Sequence, residues 1–217
     1  MMNHIRTALL VLVLAGPLAT AAAGQDSASA IRLTVREDSK LWIEGRATLR
    51  DWSCTATSVD AAIEVDQSWA FAVATRGFDL PSLVRRVDIK VPVRSLKCGN
   101  AKMERVMYSA LKADDVPDVA YIMGSFIAEP SGVSDGYLLQ TNGTLRIAGR
   151  ANTVRMAVRA ERLADGSVRA VSEVPILMSE YGVKPPTALL GAIRANDRVV
   201  VKFELFVTAP RVIAATP

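Results

Sequence analysis

The sequence predicts an all-β antiparallel domain with a minor helical part, closed as a barrel or doubled as a sandwich. Three observations carry this. Period-two alternation recurs along most of the chain, turn signals separate the alternating runs, and one stretch alone keeps clear helical spacing. Alternation over seven to nine residues marks a strand with one dry and one wet face. Eight or more such strands in one chain must hide their edges, and closure or doubling does so.

The first 23 residues, "MMNHIRTALLVLVLAGPLATAAA", stand apart from this pattern. A short start carrying Arg6 precedes an apolar core from Ala8 to Ala15. Gly16 and Pro17 break it, and small residues run to Ala23. This is the layout of a secretory signal peptide cut near Ala23. A spanning anchor would need roughly 18 or more unbroken apolar residues. The mature chain is then residues 24–217, one ordinary domain with room for a real core. It is expected in the periplasm or outside the cell, with no integral membrane span after processing.

The strands follow in order. Lys40–Trp52, Val59–Val65 and Trp69–Thr75 are strand candidates near the start. "VDIKVPV" (87–93) sets Val87, Ile89, Val91 and Val93 against Asp88, Lys90 and Pro92. Val119–Ile127 and Tyr137–Ala148 follow, and "TVRMAVRAE" (153–161) alternates Val154, Met156 and Val158 with arginines. Val168–Met178 precedes a last strand, "VVVKFELFV" (199–207), with Phe203 and Leu205 on its apolar face. Glu129-Pro130-Ser131-Gly132, Ala164-Asp165-Gly166 and Asn196-Asp197 supply turns. The helix is Ala101–Lys112, where Met103, Val106, Met107, Ala110 and Leu111 share one face behind Asn100 as N-cap. A second short helix is expected over Thr187–Ile193, after Pro185-Pro186. The ends, near 24–30 and 209–217, read as loose.

Absences narrow the chemistry. The sole histidine, His4, lies in the leader. No Ser-His-Asp triad, Cys-His pair or histidine-bound zinc can be built from the mature chain. No phosphate-binding glycine loop or calcium loop occurs, so no cofactor or metal is expected. The formal charge of +4 is well mixed and carries no nucleic-acid stripe. Two cysteines remain, Cys54 and Cys98. Neither a C-x-x-C redox motif nor further metal ligands accompany them. In an oxidising compartment they favour one structural disulfide, with free thiols as the alternative. Alternation puts Trp52 and Cys54 on one strand face, so ring and disulfide together either close one end of a barrel and pin the loop before the helix, or only stabilise an edge.

Four blocks carry a resemblance. "GRATLRDWSC" (45–54), "VPVRSLKCGNAKMERVMYSALKADDVPDVAY" (91–121), "NGTLRIAGRANTVRMAV" (142–158) and "SEYGVKPPTALLGAIRANDRVVVKFEL" (179–205) occur in this order. Together they resemble the YceI-like family of exported, lipocalin-like, polyisoprenoid-binding proteins, in a branch with paired cysteines. One departure is that Ala47-Thr48-Leu49-Arg50 stands where relatives often carry Ser-Thr-x-His. The resemblance implies an antiparallel lipocalin-like barrel of about eight strands, with one or two covering helices, around a long apolar ligand. The expected function is that of a non-enzymatic carrier of such a lipid. The alternative is an envelope interaction module with a filled barrel. A homo-oligomer is compatible with either.

Alternation within each strand nominates the ligand-binding wall: Trp42, Ile89, Val91, Met107, Tyr121, Met123, Leu145, Ile147, Met156, Val158, Phe203 and Leu205. A register error of one residue would turn a whole strand's set outward.

Overall fold

The computed structural model describes residues 30–75, 80–132, 135–188 and 193–210. The expected leader, residues 1–23, lies outside the described residues. Among the described residues, twelve strands form one antiparallel system with two α-helices. The strands are β1 (Ala30–Val35), β2 (Lys40–Ala47), β3 (Asp51–Ala56), β4 (Asp60–Asp66), β5 (Val84–Pro92), β6 (Leu96–Lys97), β7 (Asp118–Pro130), β8 (Gly136–Ile147), β9 (Arg150–Arg162), β10 (Val168–Leu177), β11 (Thr187–Ala188) and β12 (Ile193–Thr208). The helices are α1 (Trp69–Thr75) and α2 (Ala101–Ala110).

The sheet runs β1-β4-β5-β7-β8-β9-β10-β12, and β12 pairs back to β1. This closes an eight-stranded barrel. Strand β2 continues beside β12 where β1 leaves it, pairing Leu41 with Phe203, and β3 and β6 follow on its far side. The first two staves are thus each broken into two short strands. The kink between β1 and β2 keeps its hydrogen bonds: the Arg36 amide donates to the Phe206 carbonyl, and the Phe206 amide donates to Ser39 Oγ. Closure leaves few edges to protect.

Local chemistry explains the turns and the outer face. Strands β8 and β9 pair over their full length, from Gly136–Glu161 to Ile147–Arg150. Ala148 (φ 49°) and Gly149 (φ 84°) make the two-residue turn between them, the left-handed pair that suits a twisted hairpin. Outside, Arg169 bridges Glu161 and Glu204, and Lys202 bridges Glu44 and Glu173. Exposed pairs of this kind add little to stability. They fix which face is wet.

Three sequence expectations are corrected. Trp69–Thr75 is a helix, not a strand. Its Ala70, Ala72 and Ala74 favour helix, and Trp69 and Ala72 bury one face at a spacing of three. Lys40–Trp52 is not one strand but a hairpin: the Ala47 amide donates to the Arg50 carbonyl, turning the chain at Thr48 and Leu49. Thr187 and Ala188 belong to a strand, pairing with Arg194 and Ile193, where a helix was expected. The rest of that stretch, 189–192, lies outside the described residues. Ala30–Val35, which carried no strand expectation, forms β1. Helix α2 ends at Ala110, with Leu111 capping it and Lys112 at φ 57°.

Candidate functional site: an apolar tunnel in the barrel

The barrel is hollow. A cavity of about 870 Å³ runs through it, walled by side chains from nearly every strand. An eight-stranded barrel can fill its interior or hold one small ligand. This volume lies in the upper part of the range typical of ligand pockets.

The inward residues of each strand build the wall. Strand β2 contributes Leu41 and Ile43, β5 Val84, Val87, Ile89 and Val91, and β7 Val119, Tyr121, Met123 and Phe126. Strands β8 and β9 add Leu139, Leu145, Ile147, Met156 and Val158. Strands β10 and β12 add Val174, Ile176, Val199, Val201, Phe203 and Leu205. Of the twelve nominated residues, the cavity brings together Ile89, Val91, Met107, Tyr121, Met123, Leu145, Ile147, Met156, Val158, Phe203 and Leu205. Trp42 is the exception. Its indole N–H donates to Glu44 Oε1 at 2.8 Å on the outer face, and its neighbours Leu41 and Ile43 face inward. Strand β2 was therefore read one residue out of phase, because a tryptophan between two aliphatic residues looks the most apolar of the three. Val174, Ile176, Val199 and Val201 were not nominated, although the alternation of β10 and β12 marks them.

Two glycines shape the wall. A Cβ at Gly143 would lie 2.6 Å from the Tyr121 ring and from the Ile122 carbonyl oxygen. Glycine lets the phenol lie across β8, where its hydroxyl donates to Thr141 Oγ1 at 3.3 Å. Thr141 in turn donates to the Met156 carbonyl. Burial pushes the Tyr121 hydroxyl above its ordinary pKa, and the Thr141 contact opposes that only in part. At Gly45 a Cβ would lie 2.3 Å from Trp52. The indole of Trp52 thus covers the backbone of β2 and forms wall. Polar atoms at mid-tunnel are spent on each other, and no buried side-chain nitrogen or oxygen lacks a partner among the described residues.

The two ends differ. At one, α1 inserts Trp69 (5 % exposed) and Ala72 (2 %) against Leu33, Ile63, Val65, Val168 and Val207. Arg162, largely buried, clamps this floor: it donates to the Val73 carbonyl at 2.6 Å and pairs with Asp135 at 2.6 Å. At the other end α2 lies over the barrel with no buried residue. Met103, Val106, Met107, Ala110 and Leu111 face the cavity. Beside them the β2–β3 hairpin presents Leu49, 72 % exposed, and Arg50. This end is the mouth.

The disulfide fixes the lid. Cys54 and Cys98 are bonded, with Cα atoms 4.1 Å apart. They continue the register of Thr55 with Lys97 between β3 and β6. Neither sulfur forms wall; Trp52 alone of that face does. Asn100, two residues on, caps α2 by accepting from the amides of Lys102 and Met103. Glu104 accepts from the Cys98 amide at 3.0 Å, and Tyr108 donates to the Leu96 carbonyl at 2.8 Å. Helix α2 is thus anchored through its flank, and Met107 and Ala110 also pack on the buried clusters beside the cavity.

The comparisons agree with this geometry. The model of the YceI-like domain matches residues 25–207. No curated protein sequence matches the chain. Among solved structures, Burkholderia cenocepacia BcnA is similar with a TM-score of 0.61 at 17% identity, over 81% of this chain and 100% of that one. A polyisoprenoid binding domain from Saccharophagus degradans gives 0.61 at 12%, over 83% and 99%. The Campylobacter jejuni YCEI protein gives 0.51 at 15%, over 72% and 83%. These identities establish likeness of fold. The family match spans the barrel from before β1 through most of β12, and on it the chain belongs to the YceI-like family.

Proposed function

We propose that this protein is exported and carries a long apolar lipid of polyisoprenoid type in its tunnel, without catalysing a reaction on it. The observation that carries this reading is the continuous apolar cavity of about 870 Å³ inside a closed barrel. A flexible hydrocarbon needs length and dryness more than polar contacts. Each buried CH₂ contributes roughly 0.8 kcal/mol, so one isoprene unit contributes a few kcal/mol. A few units offset the cost of immobilising the chain. The methionines in the wall, Met123 and Met156 among them, adapt to irregular apolar shapes. The Saccharophagus degradans neighbour is described as a polyisoprenoid binding domain, which supports the ligand class. The signal-peptide pattern of residues 1–23 supports export, and among the described residues no helix is long and apolar enough to cross a membrane.

Uptake of a neutral fluorescent prenyl probe tests this. Met156→Trp and Ile147→Trp should each fill tunnel space and weaken uptake at least tenfold, with the melting temperature within a few degrees of wild type. In a solid core the same changes would overpack and destabilise by about 1–3 kcal/mol. Absence of uptake by the wild type, with large destabilisation in the variants, would contradict the carrier reading.

A further inference from the structure

The tunnel mouth carries a charge pattern that lipid storage alone does not require. Leu49 (72 % exposed) and Val106 (39 %) both border the cavity and both face solvent. Around them stand Arg50, Lys102, Arg105 and Lys184. Arg50 and Lys102 edge the cavity itself. Lys102, Arg105 and Lys184 meet in a second groove, between α2 and the segment leading to Thr187, which shares Val106 with the cavity wall. The hairpin belongs to the same rim: Thr187 pairs with Arg194, and the Arg194 carbonyl accepts from the Thr48 amide at 3.0 Å.

The nearby acids are turned to other partners. Asp51 faces Arg46 at 3.7 Å, and Glu104 is held by the Cys98 amide and lies 3.9 Å from Lys97. Among the described residues, none of the four rim cations takes part in an ion pair. At the floor the arrangement is the opposite. Arg162 pairs with Asp135, Arg85 with Asp66, and Arg36 with Asp38 and Asp165. Among the described residues, these floor cations are paired and the four rim cations are not.

We infer that the mouth docks on an anionic lipid bilayer, with Leu49 and Val106 entering the interface and the four cations meeting the head groups. This inference rests on the carrier reading. A water-insoluble chain has to pass between bilayer and tunnel. A mouth pressed to the bilayer keeps that passage out of water. Exposed apolar side chains ringed by cations are the residue types that seat a peripheral protein on such a surface. Each basic side chain near an anionic surface strengthens attachment roughly fivefold, and salt weakens it.

Two measurements on the mature protein separate docking from carriage. One is co-sedimentation with vesicles of pure phosphatidylcholine or of phosphatidylcholine with phosphatidylglycerol. The other is uptake from solution of a prenyl alcohol and of the prenyl diphosphate of the same length. Wild type should bind the phosphatidylglycerol vesicles, far less the neutral ones, and release them at high salt. The variant Arg105→Glu/Lys184→Glu should lose at least thirtyfold in vesicle binding while taking up the alcohol normally. Leu49→Ser should lose severalfold. Equal binding to both vesicle types, or no loss in the double variant, would overturn docking. So would a wild type that ignores vesicles but prefers the diphosphate; the cations would then serve a soluble ligand's head group. Vesicle binding without uptake of either probe would leave docking standing and defeat the carrier reading.

Discussion

The two helices sit at opposite ends of one barrel and are built to opposite rules. Helix α1 has seven residues and buries Trp69 and Ala72 in a cluster that includes β1, β4, β10 and β12. Helix α2 has ten residues and buries none. The shorter helix is core; the longer one is cover. A plug needs contacts on every side, whereas a lid must leave its inner face free for something else. The lid is held at its flank by the Cys54–Cys98 bond, the Asn100 cap and the Tyr108 hydroxyl, with Met107 and Ala110 packed against buried clusters at its inner edge. Among the described residues, a packed floor at one end and a flank-anchored lid at the other set the two ends of the cavity apart.

Breaking the plug should have the largest effect. Trp69→Ala removes a side chain that is 5 % exposed, and loss of a buried tryptophan costs about 3–5 kcal/mol. In a domain of this size the melting temperature should fall by on the order of 10 °C. Thermal unfolding followed by circular dichroism measures it.

Next comes the staple. Replacing Cys54 and Cys98 by serine releases a cross-link between residues 44 apart, which is worth about 2–4 kcal/mol. The local signature is sharper than the global one. Hydrogen exchange should show the amides of 101–110 losing protection well before those of 69–75. Equal loss in both helices would mean that the bond stabilises the barrel at large.

A smaller effect separates the two ends by pH. Asp66 accepts hydrogen bonds from the Ser68 amide and hydroxyl at the start of α1 and pairs with Arg85. The Ser68 amide, then the Arg85 guanidinium, pull its carboxyl down to about 2. A depressed folded pKa gives stability that is present above the unfolded value, near 3.8, and is lost as pH falls through about 2. Urea unfolding between pH 5 and pH 2 should therefore show a loss that Asp66→Asn reduces. A slope unchanged in that variant would remove Asp66 from the account.

The smallest change is expected on the lid. Met103 is half-buried and borders the cavity. Met103→Ala enlarges a space that is already open, so its cost should stay below about 1.5 kcal/mol, under the 2–5 kcal/mol of a packed methionine. Urea denaturation of this variant beside Trp69→Ala gives the contrast directly.

How much of this was legible follows from the type of signal. The barrel staves from β5 onward alternate cleanly, so ten wall residues follow from strand phase, and helical spacing adds Met107. The early staves could not be read so well. Thr48-Leu49-Arg50 turns the chain without glycine, proline or asparagine, and the apolar phase of Leu41, Ile43 and Ala47 carries on to Leu49 within the turn. That hid the hairpin, and with it the exposed Leu49 at the mouth. Trp42 took the wrong phase because its ring packs beside Glu44 and Lys202 outside the barrel, a contact that depends on the neighbouring strand. In α1, tryptophan, phenylalanine and valine imitate a strand, and only the tertiary cluster around Trp69 selects the helix. The rim cations are scattered over residues 50, 102, 105 and 184. Closure alone brings them together.

Native mass spectrometry of the mature protein, purified without detergent from the envelope of its own host and followed by lipid extraction, tests the central claim most directly. The account predicts a mass above that of the polypeptide, an excess lost on collisional activation, and an apolar prenyl-type lipid in the extract. For Met156→Trp prepared the same way, the excess should fall sharply. A wild-type mass equal to the polypeptide alone, with no lipid in the extract, would contradict it.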